Sequence, residues 1–530
     1  MTVRRSLTVL AATMLVGALS LLTAPSALAA TFIVTRFDDP APGNCDPNDC
    51  SLREAVLAAN MSVGIADTIQ LAAGTYTLSI PGTDEDGAMD GDLDTTNDPL
   101  TIVGAGRDVT IINGGGATTN ERAIHGHAPL ELRSLTVTGS TDDLAAGVFT
   151  LAPLTADQIS VSGNTSPGTG AGLLATGGLT LSNATLSNNT ATDGLAGLYA
   201  ASPTPVSLTN VIGSGNSADG NGAGLLFVSN DLISARNITA AGNETNDQIA
   251  GIYAISGIGG SVANATASGN RAANVGAGLI AGTNMGGTVS INNATVTGNV
   301  GNSDNSAQSG AYSGILVIGS GTVTVGNTVS SGNQVGANTT APVGKDCFGN
   351  VESRGYNLFG DVTDCTFTGD TATNKIGVDP MLGPLGDNGG FVPTVPILKG
   401  SPAVNGGNPA LPGSGGAACE AADARGLARN CDIGAYELTF CRKVAVNRIG
   451  TTGNDSLRGT AGRDGMLGFG GKDALRGKGG KDGLCGGPGK DLLKGGAGKD
   501  ILDGGPGKDT CVGGPGKDKA RRCEVTKSIP

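Results

Sequence analysis

The chain has no tryptophan, aromatic residues make up only 3% of its 530 residues, and it contains two histidines. Large aromatic side chains supply much of the buried area in ordinary globular cores. Their scarcity excludes a conventional core built around aromatic anchors. Glycine, in contrast, accounts for 90 residues. Small residues that recur in register favour a solenoid, in which each repeat buries its neighbour.

Long apolar runs are also scarce, and the one run that stands out lies at the N-terminus. Arg4 and Arg5 precede the apolar run Leu7–Leu22, Pro25 interrupts it, and Ala27–Ala29 offers small residues for cleavage. This pattern predicts a signal peptide over residues 1–30 and a secreted or cell-surface-associated protein. An uncleaved anchor helix is the alternative, which the shortness of the run disfavours. We therefore expect no transmembrane segment in the mature chain.

Charge divides the chain into two parts. Residues 31–440 contain 13 basic and 36 acidic residues, whereas residues 441–530 contain 18 basic and 10 acidic ones. An acidic body attracts cations and argues against nucleic acid as the main partner.

The N-terminal segment carries a helix signal. Ser51 and Glu54 form a capping-box pattern, which predicts one short helix in Ser51–Asn60. The surrounding letters are CSLREA at 50–55, GTYTL at 74–78, GDLD at 91–94 and LTIVGAG at 100–106. They resemble the CSLREA domain at the start of many bacterial surface proteins. The resemblance implies an N-terminal cap over residues 31–106.

Residues 107–340 repeat with a period in the twenties. A small residue, a glycine and an aliphatic residue recur at Gly147, Gly172, Gly197, Gly224, Gly251 and Gly278, and a turn asparagine recurs at Asn164, Asn189, Asn216, Asn243, Asn270 and Asn299. Short β-branched runs between such turns predict the coils of a parallel β-helix. Aliphatic residues would stack inside, and asparagine tolerates left-handed backbone and can bond its neighbour along the ladder. The Asn-x-Thr triplets could instead be glycosylation sites, but their recurrence in register favours turn asparagines.

The sequence of residues 341–440 differs from the repeats that precede it. It contains SRGYNL, GSPAVNGG and CDIGAYE, which together resemble the choice-of-anchor Q domain. The resemblance implies a right-handed parallel β-helix surface protein and a C-terminal cap over residues 341–440 that shields the last coil.

Residues 441–530 contain eight nine-residue repeats from Gly450 onward. Each has an aspartate at its sixth position: Asp455, Asp464, Asp473, Asp482, Asp491, Asp500, Asp509 and Asp518. The pattern resembles the RTX calcium-binding repeat, which implies Ca²⁺ as the ligand of these aspartates and a parallel β-roll with two repeats per coil. Aspartates two repeats apart would then share one face. A flexible glycine-rich linker is the alternative, but a linker would not hold eight aspartates in phase.

The repeats also depart from the family pattern. The first four lack the second glycine, and the fifth position is Lys or Arg in seven of them. A cation there weakens calcium binding unless its side chain points to solvent. We therefore look for metal first in the last four repeats, from Gly486 onward.

The ten cysteines favour disulfides in an oxidising compartment. Proximity in sequence suggests the pairs Cys45–Cys50, Cys347–Cys365, Cys419–Cys431 and Cys511–Cys523, which leaves Cys441 and Cys485. A zinc site is disfavoured because CxxC spacing is absent, and His125 and His127 are interpreted as a pair at a strand edge. The acidic stretch at residues 84–98 is either a solvated loop or a minor cation site.

These features predict a secreted all-β protein that binds calcium at its C-terminus and presents a solenoid face for adhesion or glycan binding. The rival hypothesis is a polysaccharide lyase or glycoside hydrolase of the β-helix type. Such enzymes need clustered carboxylates, whereas acidic residues in 140–340 are scattered: Asp142, Asp143, Asp157, Asp193, Asp219, Asp231 and Asp247. The prediction therefore leans away from an enzyme, with no catalytic residues assigned.

Overall fold

A computed structural model describes residues 29–62, 64–82, 86–304, 309–336 and 340–529. The predicted signal peptide falls mainly on residues 1–28, outside the described residues. The described part contains one α-helix, Leu52–Met61, and one 3₁₀ turn, Gly116–Thr118; its other elements are β-strands. Among the described residues, no helix is long and apolar enough to cross a membrane.

Parallel strands stack into a solenoid, and we number its strand columns in the order in which one coil crosses them. Column one contains Leu93–Thr95, Ile124–Gly126, Val148–Thr150, Leu173–Ala175, Leu198–Ser202, Leu225–Ser229, Ile252–Ser256, Leu279–Thr283 and Ile315–Gly319. Column two contains Thr31–Ile33, Asp67–Gln70, Leu100–Val103, Leu130–Arg133, Leu154–Asp157, Gly259–Ala263, Thr288–Asn292, Thr322–Gly326 and Cys365–Asp370.

Column three contains Gly74–Thr77, Thr110–Asn113, Thr136–Thr138, Ser160–Ser162, Thr266–Ser268, Thr295–Thr297, Val329–Ser330, Leu358–Phe359 and Lys375–Ile376. Leu179–Ser187, Val206–Ser214 and Leu232–Ala241 run through columns two and three, and Cys347–Arg354 runs through columns one and two. Column four contains Thr165–Ser166, Thr190–Ala191, Ser217–Ala218, Glu244–Thr245, Arg271–Ala272, Val300–Gly301 and Gln334–Val335. Ser309–Tyr312 and Thr340–Gly344 form a separate parallel pair. The parallel β-helix expected from the sequence is confirmed.

The interior of the solenoid is a stack of aliphatic side chains. In column two, Leu154 pairs with Leu179, Leu179 with Val206, and Val206 with Ile233, and all four are buried. Each side chain therefore packs on its equivalent one coil away, about 4.8 Å along the axis. This stacking replaces the aromatic anchors that the chain lacks.

The repeated glycine is required by close approach of the coils. A Cβ at Gly172 would collide with the carbonyl oxygen of Gly197, and a Cβ at Gly224 would collide with that of Gly251. Only glycine fits where one backbone passes so near the next.

The predicted asparagine column forms a buried ladder. The backbone amide and the Nδ2 of Asn189 both donate to Oδ1 of Asn216, at 3.1 and 3.0 Å, while the same Nδ2 donates to the Val161 carbonyl at 3.0 Å. Contrary to expectation, the left-handed backbone belongs to the residue before each ladder asparagine, such as Asn188 and Gly215. The ladder asparagine itself keeps ordinary backbone because its side chain, rather than its φ angle, makes the turn's contacts.

The predicted helix is confirmed and its cap is complete. Ser51 Oγ accepts from the Glu54 amide, and Glu54 Oε2 accepts from the Ser51 amide at 2.7 Å. The helix packs on the first coils, since Leu52, Ala55 and Val56 belong to the solenoid core.

Residues 377–440 run along the side of the solenoid with little regular structure. Asn264 and Asn292 donate from Nδ2 to the carbonyls of Ala422 and Ala418, both at 2.9 Å, and the Ala435 amide donates to Thr295 Oγ1. The segment thus covers turn asparagines of successive coils. Its assignment as a cap domain remains a prediction.

The C-terminal array is a second, narrower solenoid. The antiparallel pair Phe440–Cys441 and Val444–Ala445 precedes it. One sheet contains Arg448–Ile449, Gly465–Leu467, Gly483–Cys485, Ile501–Asp503 and Lys519–Arg521, and the other contains Ser456–Arg458, Ala474–Gly480, Leu492–Gly498, Thr510–Val512 and Val525–Lys527. Pairing joins residues 18 apart, so two nonapeptides make one coil of a parallel β-roll, as predicted.

Candidate calcium sites of the β-roll

The eight repeat aspartates form two columns, one on each side of the roll. One oxygen of each carboxylate has a fixed role: Oδ1 of Asp491 accepts from the amide of Asp473 at 2.9 Å, and Oδ1 of Asp500 accepts from the amide of Asp482 at 2.9 Å. The same bond links aspartates 18 apart throughout, from Asp455–Asp473 to Asp500–Asp518. The structure thus brings together aspartates two repeats apart, as the sequence predicted.

The other carboxylate oxygen has no partner in most repeats. Oδ2 is buried, without a hydrogen-bond partner among the described residues, in Asp473, Asp482, Asp491, Asp500, Asp509 and Asp518. An unpaired buried carboxylate oxygen is costly, and a hard cation such as Ca²⁺ binds such oxygens. These six residues therefore fit calcium.

The first glycine of each repeat makes room for that oxygen. A Cβ at Gly468 would collide with Oδ2 of Asp473, and one at Gly486 would collide with Oδ2 of Asp491. Any larger residue would fill the space beside the carboxylate.

The first two repeats are built differently. Thr451 donates to Oδ2 of Asp455 from its amide at 2.6 Å and from Oγ1 at 3.0 Å, and Thr460 does the same to Asp464 at 2.7 and 3.0 Å. Threonine occupies the position of the second glycine, so its own hydroxyl satisfies the carboxylate. These two aspartates do not resemble the other six.

Repeats three and four adopt the glycine-type turn without glycine. Phe469 and Lys478 have φ values of 69° and 77°, where Gly487 and Gly496 of the next repeats have 108° and 109°. Positive φ is strained for a side chain. The unpaired Oδ2 therefore follows the turn conformation rather than the presence of a second glycine. The candidate sites thus include the two repeats that precede Gly486.

Burial changes the acidity of the aspartates. It raises the pKa of Asp482 and of Asp491 to about 6 in each case, despite the amide that donates to each carboxylate. Burial likewise raises the pKa of Asp473, Asp500 and Asp509. The folded roll without a cation thus holds its carboxylates in surroundings that oppose their charge.

The cations at the fifth position point to solvent. Arg463, Lys472, Lys481, Lys490, Lys499, Lys508 and Lys517 are all exposed. Calcium binding was expected to suffer unless these side chains point to solvent, and they do. They therefore do not compete with calcium for the carboxylates.

Five disulfides join all ten cysteines, which all lie in the described residues. They are the four pairs expected from proximity together with Cys441–Cys485. Cys441–Cys485 ties the strand before the roll to its fourth repeat, and Cys511–Cys523 closes the last coil.

Comparison with known families agrees with this geometry. The family described as RTX calcium-binding nonapeptide repeat (4 copies) matches residues 449–484 and 486–520. The C-terminal repeats are of the RTX calcium-binding type. No curated protein matches the chain, and no solved structure matches it. The resemblances to the CSLREA and choice-of-anchor Q domains remain predictions.

Proposed function

We propose that this is an extracellular protein in which calcium orders the C-terminal roll, while the larger solenoid stands without calcium and presents a face for adhesion or glycan binding. The observation that carries the proposal is the set of six buried Oδ2 atoms without a donor. Calcium bound there supplies the positive charge that the protein does not. Five disulfides and RTX-type repeats support an extracellular location.

The residues that would hold calcium are Asp473, Asp482, Asp491, Asp500, Asp509 and Asp518. The roll has little else to stabilise it, since its core is a single file of side chains: Met466, Leu475, Leu484, Leu493, Leu502 and Cys511. A thin core offsets little of the entropy lost on ordering, so ion binding contributes folding free energy directly.

Hydrogen exchange on the mature full chain tests this claim. With millimolar calcium, amides in residues 448–527 should be protected, and a chelator should remove that protection while residues 148–330 keep theirs. The solenoid serves as the internal control. Equal protection of the roll with and without calcium would refute calcium-driven ordering.

A row of hydroxyls supports the binding face. Successive coils of column two align Thr155, Thr180, Ser207, Ser234, Ser261 and Ser290, and all six side chains are exposed or half-exposed. The result is a flat strip of donors and acceptors at the 4.8 Å repeat, which suits an extended polysaccharide.

Binding of the full chain to a panel of plant, algal and bacterial polysaccharides tests the face. Ser234→Arg, in the middle of the row, should abolish binding that the wild type shows, whereas the exposed control Asn221→Arg should not. Binding unaffected by Ser234→Arg would refute this location. Sustained release of reducing or unsaturated ends would instead support the polysaccharide-degrading alternative.

A further inference from the structure

Four metal-ligating side chains converge at the N-terminal end of the solenoid. They are Asp86, Asp94, His125 and His127, and one donor atom from each lies within 4.8 Å of all the others. Strand register explains the meeting: in column one, Asp94 pairs directly with His125 of the next coil. The two histidines lie two residues apart, so they share a face of the chain.

The spacing of the donors is that of a tetrahedral metal site. His125 Nδ1 lies 3.0 Å from His127 Nε2 and 3.2 Å from Asp94 Oδ1. His127 Nε2 lies 3.4 Å from Asp94 Oδ1 and 3.4 Å from Asp86 Oδ1, and the His125–Asp86 distance is 4.0 Å. Bonds of about 2.0–2.1 Å in a tetrahedron place its corners about 3.3–3.4 Å apart. Four of these five distances lie between 3.0 and 3.4 Å, close to that length, and only the His125–Asp86 distance is longer.

The carboxylate of Asp94 is buried and faces the other donors of this site. The Asp94 side chain is fully buried. Its Oδ2 accepts from the Ala88 amide at 3.0 Å, whereas its Oδ1, which faces the two imidazoles, is buried with no hydrogen-bond partner among the described residues. A buried acceptor without a donor, flanked by two imidazole nitrogens, is the arrangement that a bound cation completes.

The segment that ends in the Asp94 strand, Leu93–Thr95, is held by residues near both ends of the helix Leu52–Met61. Fully buried Arg53 pairs with Asp39 and donates to the carbonyls of Ala88, Asp90, Gly91 and Asp92 at 2.7–3.2 Å. Asn60 donates to the Asp94 carbonyl at 2.7 Å. The helix thus fixes the position of the backbone that carries Asp94.

The surrounding charge also favours a cation. Asp92 lies 3.0 Å from Arg122, and Asp142 lies 3.7 Å from the same guanidinium. Arg122 Nη1 also lies 3.5 Å from His125 Nδ1. The charge of Arg122 is paired with carboxylates other than Asp86 and Asp94, so the negative charge of those two remains for a metal.

We propose that Asp86, Asp94, His125 and His127 bind one divalent transition metal, with zinc as the ion that this mixed nitrogen and oxygen set at tetrahedral spacing fits best. Calcium and magnesium prefer oxygen donors, whereas imidazole suits zinc. With all four corners supplied by protein, the site is structural. The bound metal links residues 86–94 to the following coil.

Zinc binding to the mature full chain, produced without a histidine tag and kept in saturating calcium, tests the proposal. His125 and His127 are the only histidines in the chain, and all ten cysteines are in disulfides. X-ray absorption of the bound zinc should therefore show imidazole scattering that arises from this site alone. We expect one zinc per chain by metal analysis after dialysis.

His127→Ala and Asp86→Asn should each weaken zinc binding about tenfold or more. Asp86 has an exposed side chain, so Asp86→Asn should leave the fold intact, and unchanged calcium-dependent protection of the roll verifies this. Asp143→Asn, an exposed carboxylate in the same region, is the matched control and should bind zinc as the wild type does. Zinc that lacks imidazole scattering, equal binding by Asp86→Asn, or no binding above the His127→Ala background would overturn the site and leave a histidine–histidine hydrogen bond as its explanation.

Discussion

The β-helix and the β-roll both link successive coils through a ladder of equivalent side chains, but the side chains differ. In the β-helix, each ladder asparagine accepts the backbone amide of its equivalent in the preceding coil on Oδ1, and its Nδ2 donates to a carbonyl. In the β-roll, the six aspartates from Asp473 to Asp518 accept the equivalent amide on Oδ1, but their Oδ2 atoms find no donor among the described residues. One ladder is complete as a neutral structure, and the other is complete only with a cation.

If calcium orders the roll as proposed, its calcium requirement arises from a change of a single atom in each ladder residue. An amide nitrogen and a carboxylate oxygen have nearly the same shape, yet one donates and the other only accepts. We therefore expect the large solenoid to keep its stability at any calcium concentration, and we expect the stability of the roll to depend on calcium.

The largest effect is expected when a carboxylate replaces an asparagine in the ladder of the β-helix. In Asn216→Asp, the new oxygen would face the Leu186 carbonyl and Asn243 Oδ1, which now accept from Nδ2 at 3.1 and 2.9 Å. We expect a loss of about 3 kcal/mol in free energy of unfolding near neutral pH. Because the folded pKa of that aspartate is raised, part of the loss should be recovered as pH falls towards 4.

Chemical denaturation of the full chain in calcium measures this loss. Asn221→Asp, at an exposed position, should change the free energy of unfolding by less than about 0.5 kcal/mol. A similar small effect for Asn216→Asp would contradict the role of the ladder.

The reverse exchange sharpens the comparison in the roll. Asp491→Asn with Asp500→Asn keeps the Oδ1 acceptor but removes two charges and adds two donors. Calcium affinity at these sites should fall about tenfold or more, while protection of the roll in chelator should rise. Calorimetric titration and hydrogen exchange measure the two effects.

Asp455→Asn is the matched control, since Thr451 already satisfies that Oδ2. Its calcium affinity should stay within about twofold of the wild type. If it lost as much affinity as the double variant, all eight aspartates would be equivalent and the distinction between early and late repeats would be wrong.

The response to pH should also separate the two solenoids. The pKa of Asp482 and Asp491 is about 6 in the folded roll and about 3.9 when unfolded. Between these values the folded state binds more protons, so calcium-free stability should rise as pH falls from 7 to 5. Far-UV circular dichroism of the full chain in chelator should therefore show more β-structure at pH 5 than at pH 7, because part of the roll refolds. Less β-structure at pH 5 would contradict the shifted pKa values.

The smallest effect concerns the fifth-position cations. Lys490→Ala with Lys499→Ala removes two exposed charges, and exposed charges are screened by salt. Calcium affinity should rise by less than about threefold at physiological ionic strength. A tenfold gain would mean that these side chains reach the carboxylates.

Much of the architecture could be predicted because repetition turns a sequence pattern into a spatial one. The glycines at 25- and 27-residue spacing and the aspartates at nine-residue spacing report the coil lengths directly. The capping box at Ser51 likewise acts within one turn of helix and needs no tertiary information. We predicted the left-handed backbone conformation one residue too late, because each ladder asparagine follows a Gly or Asn that tolerates this conformation equally well.

The cluster around His125 could not be predicted in the same way. Asp94 and His125 are partners 31 residues apart, outside the period of the later coils, so the register that joins them was invisible. The sequence drew attention to the acidic stretch and to the histidine pair separately, but only the fold brings them together. Arg53 and the two threonines of the early repeats were missed for a related reason, since hydrogen bonds of single side chains leave no periodic signal.

The disulfides at the two ends of the roll govern what happens when calcium is scarce. Cys441–Cys485 fastens the beginning of the array to its fourth repeat, and Cys511–Cys523 fastens its end. If the roll unfolds without calcium, as proposed, its chain keeps two disulfide-closed loops, residues 441–485 and 511–523, which are joined by the segment 486–510. Its reach is limited in the relaxed state, and less conformational freedom is lost when it stiffens again. We therefore expect calcium to set the stiffness of this tail, while the disulfides limit its extension with or without calcium.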